Sequence, residues 1–255
     1  MRLVASILAL VATVCTAQSV PEAVPIPAAS QQMVLVITPD WRATHGTLRT
    51  FERTSDGPWQ EVDEATPVVV GRSGLGWGRG LHPAQEGPQK REGDGRAPAG
   101  VFDLTAAFGY AEAETTGLSY VRAMPSVKCV DDAESAFYNL VVDQAEVTKD
   151  WKSRERMRRA DSLYSVGVVV AHNGPGVSSR LVPEAGGPKP VAGAGSCIFL
   201  HVWRGPGSST AGCTAMPSAA LRSVMNWLDT DRQPVLVQLP NVEAERVRDA
   251  WGLPE

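Results

Sequence analysis

The sequence predicts a mainly β chain with few short helices, and three observations carry that expectation. Glycine and proline number 24 and 19 among 255 residues, above ordinary usage, which favours many turns between short strands. Apolar residues recur as brief runs bounded by Gly, Pro, Asp and Ser. Only two segments carry an apolar period close to 3.6 residues. The residues AVILMFWYC make up 43% of the chain and charged residues 20%, a globular balance that excludes a wholly disordered protein. A net charge of −4 supplies no basic field, which argues against a general nucleic-acid or anionic-membrane binder.

Taken in order, residues 1–17 read as a secretory signal peptide. Arg2 is the one charge, Leu3 to Val14 is apolar, and Cys15, Thr16 and Ala17 supply a small-x-Ala cleavage pattern. The run is too short for a comfortable membrane span, and no later segment approaches eighteen apolar residues, so no span is expected in the mature chain. Residues 18–30, with Pro21, Pro25 and Pro27 among small residues, read as a flexible leader, and residues 31–255 as one domain.

Met33 to Thr38 is a strand stopped by Pro39. His45 to Arg53 and Trp59 to Val62 flank the turn sequence Ser55, Asp56, Gly57, Pro58 and read as a hairpin. Further strands are expected at Pro67 to Gly71, Val101 to Leu104, Asn139 to Val142, Val166 to Ala171, Cys197 to Trp203 and Pro234 to Leu239. The glycine run from Gly74 to Gly80 is followed by no helical pattern and is no dinucleotide fingerprint. Leu81 to Pro98 reads as a polar loop, and Trp151 to Arg159 as a short exposed helix or loop with a solvated basic face. Ser218 is expected to cap a helix carrying Leu221, Val224, Met225 and Leu228, and Asn241 a second one through Trp251, stopped by Gly252.

In an exported chain, loss of Cys15 leaves Cys129, Cys197 and Cys213, an odd count that suggests one pair and one leftover thiol. None of the spacings has the C-x-x-C form of a zinc or redox site. Strand alternation from Cys197 to Trp203 puts Ile198, Leu200 and Val202 on one face, and Cys197, Phe199, His201 and Trp203 on the other. Twelve residues beyond His201, Cys213 follows Gly212, and a loop of that length can fold back to set an imidazole beside a thiol. On spacing alone, a buried thiol and an unrelated loop histidine are the commoner arrangement.

The segment containing His201, Ser209, Thr210, Ala211, Gly212, Cys213 and Met216 resembles the signature of the L,D-transpeptidase catalytic-domain family. That signature is a His-led strand, a loop, then Ser/Thr-His-Gly-Cys and a short Arg-containing tail. Lys90 to Phe102 is similar to the family's Thr-Pro-x-Gly-x-Phe segment as a divergent exported bacterial branch carries it. Gly74 to Gly78, Phe108 to Tyr110, Cys129 to Asp132, Tyr138 with Asn139, and Gly195 to Trp203 also resemble that branch, so the likeness spans roughly residues 33–239.

The resemblance implies a mixed β-sandwich in which Cys213 attacks a peptide carbonyl, forms a thioester and passes the acyl group to an amine. It implies His201 as general base, the Val202 carbonyl as its orienter, and the Gly212 and Cys213 N–H groups as an oxyanion hole. The family's histidine before Gly-Cys is Ala211 here and its arginine two residues after the cysteine is Ala215. Arg204, with Trp203 and Thr210, is the expected substrate-binding set in their place. Cys129 and Cys197 are then left to pair, with two buried free thiols as the competing arrangement.

The implied partners are peptidoglycan stem peptides and an amine acceptor in the periplasm or cell wall. Neither cofactor nor metal is expected, since Asp131 and Asp132 fit a turn or cap better than a metal site. His82 and His172 are expected as satisfied polar residues. Hydrolysis of the same peptides, as an L,D-carboxypeptidase or amidase, and a noncatalytic wall-binding domain are the alternatives.

Overall fold

A computed structural model describes residues 25–55 and 57–255; the expected signal peptide and most of the leader lie outside them. In chain order, β1 (Gln32–Thr38), β2 (His45–Glu52), β3 (Gln60–Glu61), β4 (Thr66–Val69) and β5 (Leu75–Trp77) precede the long β6 (Ala97–Gly109). The middle of the chain supplies β7 (Tyr120–Arg122), β8 (Val127–Cys129), β9 (Val141–Asp143), β10 (Glu155–Arg156) and β11 (Val166–Val170). The last part supplies β12 (Phe199–Val202), β13 (Thr214–Met216), α1 (Ser218–Trp227), β14 (Val235–Pro240) and α2 (Asn241–Trp251). The chain is therefore mainly β, with two α-helices among the described residues.

Two separate facing sheets are not what forms. Hydrogen bonding runs β1–β14–β6–β11–β12–β13–β4–β2, and β2 pairs again with β1, so the sheet closes into a barrel-like ring. Closure removes the unpaired strand edges that an open sheet would expose. Most ring pairs are antiparallel, but β1–β14 and β12–β13 are parallel. A small second sheet, β10–β8–β9, lies apart from this path.

Alternation along the strands sends side chains into different cores. Val34, Phe102, Val168 and Leu200 meet Leu221, Val224 and Met225 of α1 in one cluster. Met33, Val101, Val235 and Val237 meet Val247 and Trp251 of α2 in another. In β6 the parity changes part-way. Phe102 and Leu104 share a core with Ala107, while Ala106 and Phe108 face a third cluster. A bulge explains the change, because Val170 pairs with Leu104 and Val169 with Ala106, which leaves Thr105 unpaired. Phe108 is thereby turned towards Phe199 and Tyr164 beneath the site.

Several local expectations change. Pro217 and Pro240, in extended conformation, take the N-cap positions, so Ser218 and Asn241 begin the helices rather than cap them. Gly252 does end α2, in the left-handed conformation at φ 65°. In the Trp151–Arg159 stretch Arg154, Arg156 and Arg158 are exposed, the solvated basic face that was expected, but the segment is neither a helix nor a free loop: Trp151 and Met157 are buried and Glu155–Arg156 pairs with β8. At the described end of the leader, Ile26 and Ser30 are buried and Arg53 donates to the carbonyls of Pro27 and Ser30, so residues 25–30 pack against the domain.

Candidate active site

The parallel pairing of β12 with β13 builds the site. Leu200 lies opposite Thr214 and His201 opposite Ala215, which places Cys213, one residue before β13, beside the start of β12. Cys213 and His201 are both nearly buried and both border one cleft, with Tyr164, Arg159, Arg204 and Glu155 around them. The spacing of twelve residues thus closes into proximity through the intervening loop.

The His201 imidazole is oriented from its own strand. Its Nδ1 lies 2.8 Å from the Val202 carbonyl oxygen, which can only accept, so Nδ1 carries the proton and Nε2 keeps its lone pair. The Tyr164 ring meets the imidazole edge-on, with centroids 5.3 Å apart. Burial disfavours the imidazolium and holds the His201 pKa down to about 4.

Burial likewise pushes the Cys213 thiol up to about 12, against a smaller lowering by the Phe199 backbone N–H. The thiol donates to the Cys197 carbonyl at 3.4 Å. At rest the pair is a neutral thiol and a neutral imidazole rather than a thiolate–imidazolium ion pair. Proton transfer must then accompany attack by sulfur.

The loop before the thiol is held by Thr210. Its hydroxyl donates to the Cys213 carbonyl at 2.6 Å and accepts from the Gly212 N–H at 3.1 Å. This alters the expected oxyanion hole. The Gly212 donor is occupied, whereas the Cys213 N–H has no partner among the described residues and is the group free to meet an oxyanion. A glycine is required at 212, since a Cβ there would stand 3.0 Å from the Arg96 carbonyl oxygen at φ 158°. Thr210 borders the cleft but spends its hydroxyl on the loop. Trp203 and Arg204 also border it, and Arg204 is exposed with no ion-pair partner among the described residues.

Cys129 and Cys197 form a disulfide, with Cα atoms 5.9 Å apart, leaving Cys213 as the free cysteine of the described residues. His172 is fully buried, accepts from the Arg79 N–H at Nδ1 and faces the Ala194 carbonyl at Nε2. His82 accepts from the Val101 N–H and packs against Trp77, Phe102 and Trp251. Neither borders the clefts at Cys213. Asp132 accepts from the Glu134 and Lys152 N–H groups, and Asp131 from the Ser153 hydroxyl, so both serve local structure. No cluster of three or more potential metal ligands occurs among the described residues.

Two residues of the site, Glu155 and Tyr164, were not expected from the sequence. The Tyr164 hydroxyl donates to Glu155 Oε2 at 2.6 Å, and both lie close enough to Cys213 to act on its charge. The available signal was the alternation of Glu155 with Met157 inside a charged run, which places them on one face. A second cleft that also borders Cys213 is lined by Arg72, Lys90, Glu92, Asp131, Glu155 and Ser196. Lys90 is buried there and pairs with Asp94 at 2.7 Å.

No curated protein and no solved structure matches the chain. The family model for the L,D-transpeptidase catalytic domain, YkuD, matches residues 42–237, which covers every strand from β2 to β13 and both members of the Cys213–His201 pair. The chain belongs to the L,D-transpeptidase catalytic-domain family.

Proposed function

We infer that this chain is an exported cysteine acyltransferase acting on peptidoglycan stem peptides, with Cys213 as nucleophile and His201 as general base. The carrying observation is that a thiol and an imidazole with a bare Nε2 open on one cleft, in a chain of this family. As sulfur attacks the donor peptide carbonyl, its proton passes to His201 Nε2, and the oxygen takes the electron pair opposite the Cys213 N–H. Collapse expels the donor's leaving amine, which takes the proton back from Nε2, and a thioester remains on Cys213. An amine then displaces the thiolate and becomes an amide.

Export accords with the Cys129–Cys197 disulfide, since such bridges persist in oxidising compartments. Arg204 at the cleft mouth suits a substrate carboxylate, which costs too much to desolvate without a cation. The test is to incubate purified chain with tetrapeptide-stem muropeptides, with and without a D-amino acid, and weigh the products. Incorporation of the added amine is the expected result. Loss of the terminal residue without incorporation indicates the hydrolytic alternative, and unaltered muropeptides the noncatalytic one.

A further inference from the structure

Among the carboxylates around Cys213, Glu155 stands apart in position. Two clefts border the thiol, and the residues lining both are Glu155, Ala211 and Cys213. Ala211 is small and Cys213 is the nucleophile, which leaves Glu155 as the one charged group common to both approaches. Its place is fixed twice over. Glu155 pairs in register with Cys129, which is bridged to Cys197, and the Cys197 carbonyl receives the Cys213 thiol proton. The Tyr164 hydroxyl holds one carboxylate oxygen at 2.6 Å, and Oε1 has no donor among the described residues.

We propose that Glu155 is a second catalytic base, which takes the proton from the ammonium group of the incoming acceptor before that amine attacks the Cys213 thioester. This rests on the acyltransferase reading and deepens it.

An ammonium must give up a proton before its nitrogen can attack, and Glu155 is the carboxylate bordering both approaches to the thiol. An aliphatic amine arrives as RNH3⁺, whose nitrogen has no lone pair to donate. Transfer of one proton to the Glu155 carboxylate gives RNH2 and a neutral carboxyl. The nitrogen then bonds to the thioester carbon, the carbon–sulfur bond breaks, and the sulfur leaves with its electron pair. The second N–H proton reaches the sulfur through His201 and restores the thiol, while Glu155 releases its proton to solvent. The products are one amide, one thiol and one released proton.

His201 keeps one lone pair, on Nε2, and in this scheme that nitrogen already carries the second proton to the sulfur. The groups acting on Glu155 favour proton uptake: burial first, then the carboxylates of Asp131 and Glu92, against Tyr164 and Arg159. The same carboxylates attract an ammonium into the second cleft.

The experiment compares two acceptors with one stem-peptide donor: D-alanine, an ammonium at neutral pH, and hydroxylamine, which is already unprotonated there. In Glu155→Gln, transfer to D-alanine should fall at least ten-fold more than transfer to hydroxylamine. Tyr164→Phe keeps the ring against His201 but removes the donor to Glu155, and should show the same selectivity to a lesser degree. Equal losses for both acceptors in either variant mean a structural role and overturn the proposal, as does unchanged use of D-alanine. If the parent forms neither product nor a thioester adduct at Cys213 by intact mass, the acyltransferase reading itself fails.

Discussion

The neutral resting pair makes the pH dependence of Cys213 reactivity a strict test. With the thiol pushed up to about 12, the thiolate fraction at pH 7 is about 10⁻⁵, against roughly 3% for an ordinary cysteine near 8.5. That is a deficit of about 3,000-fold. The rarer thiolate is the better nucleophile, and a Brønsted slope of about 0.45 across the difference restores roughly 40-fold. Alkylation by a small neutral reagent such as iodoacetamide should thus run about 100-fold slower than for an unperturbed thiol.

The logarithm of the rate should rise with unit slope from pH 5 to 9. His201, held near 4 by burial, offers no imidazolium in that range to trap the thiolate. The assay is mass mapping of the adduct at Cys213 over time at each pH. A flat rate between pH 5 and 8, matching that at pH 9, would establish a preformed ion pair and refute the neutral assignment. His201→Ala should leave this alkylation slope unchanged, because the base acts on the substrate pathway and not on free thiolate.

Other outcomes follow from the same geometry. Cys213→Ala and His201→Ala should each abolish muropeptide turnover, and the double variant should be no worse, because the two act as one unit. Arg204→Ala should raise the apparent KM for carboxylate-bearing stems about ten-fold, roughly 1.4 kcal/mol, with Arg204→Lys rescuing only part of it, as read from initial rates. Thr210→Val removes both hydrogen bonds of the nucleophile loop and should cost about 1–3 kcal/mol in urea denaturation, with a fall in kcat if the loop positions the oxyanion donor. In chain beginning at Gln18, thiol counting in denaturant should find one reactive thiol before reduction and three after. Reduction should cost about 4 kcal/mol of stability for a 68-residue loop.

Those parts of the site that lie close together along the chain are legible in the sequence. Alternation along Phe199–Val202 sorts Leu200 and Val202 into one core and sends Phe199 into another, as a period of two requires. What escaped was non-local. Ring closure depends on β1 pairing with β14 across about two hundred residues, and no local pattern records which strands will meet. Glu155 sits among arginines, so its charge read as solvated. Its burial comes from pairing with β8 and from Tyr164, neither of which composition announces. The helix starts were misplaced because a preceding proline already supplies the extended residue that a cap needs, whatever polar side chain follows. Substitution of Ala215 for the family's arginine also has a local setting: the residue is fully buried opposite His201, a poor place for a guanidinium.

The disulfide divides the groups of the candidate site into two parties. Glu155 and Tyr164 lie inside the covalent loop from Cys129 to Cys197, while His201 and Cys213 lie just beyond it. One half of the site therefore belongs to a closed ring of chain and the other half to the tail that leaves it. The ring is fastened at Cys197, whose carbonyl holds the Cys213 thiol, so the knot that shuts the ring is also the hinge post of the nucleophile. During synthesis Cys197 follows Cys129 by 68 residues, and the knot is tied only after both have left the reducing side of the membrane in an exported chain. If the chain is exported as proposed, assembly of the site is a late, oxidative act that leaves the surroundings of the Cys213 thiol incomplete until the chain has crossed the membrane.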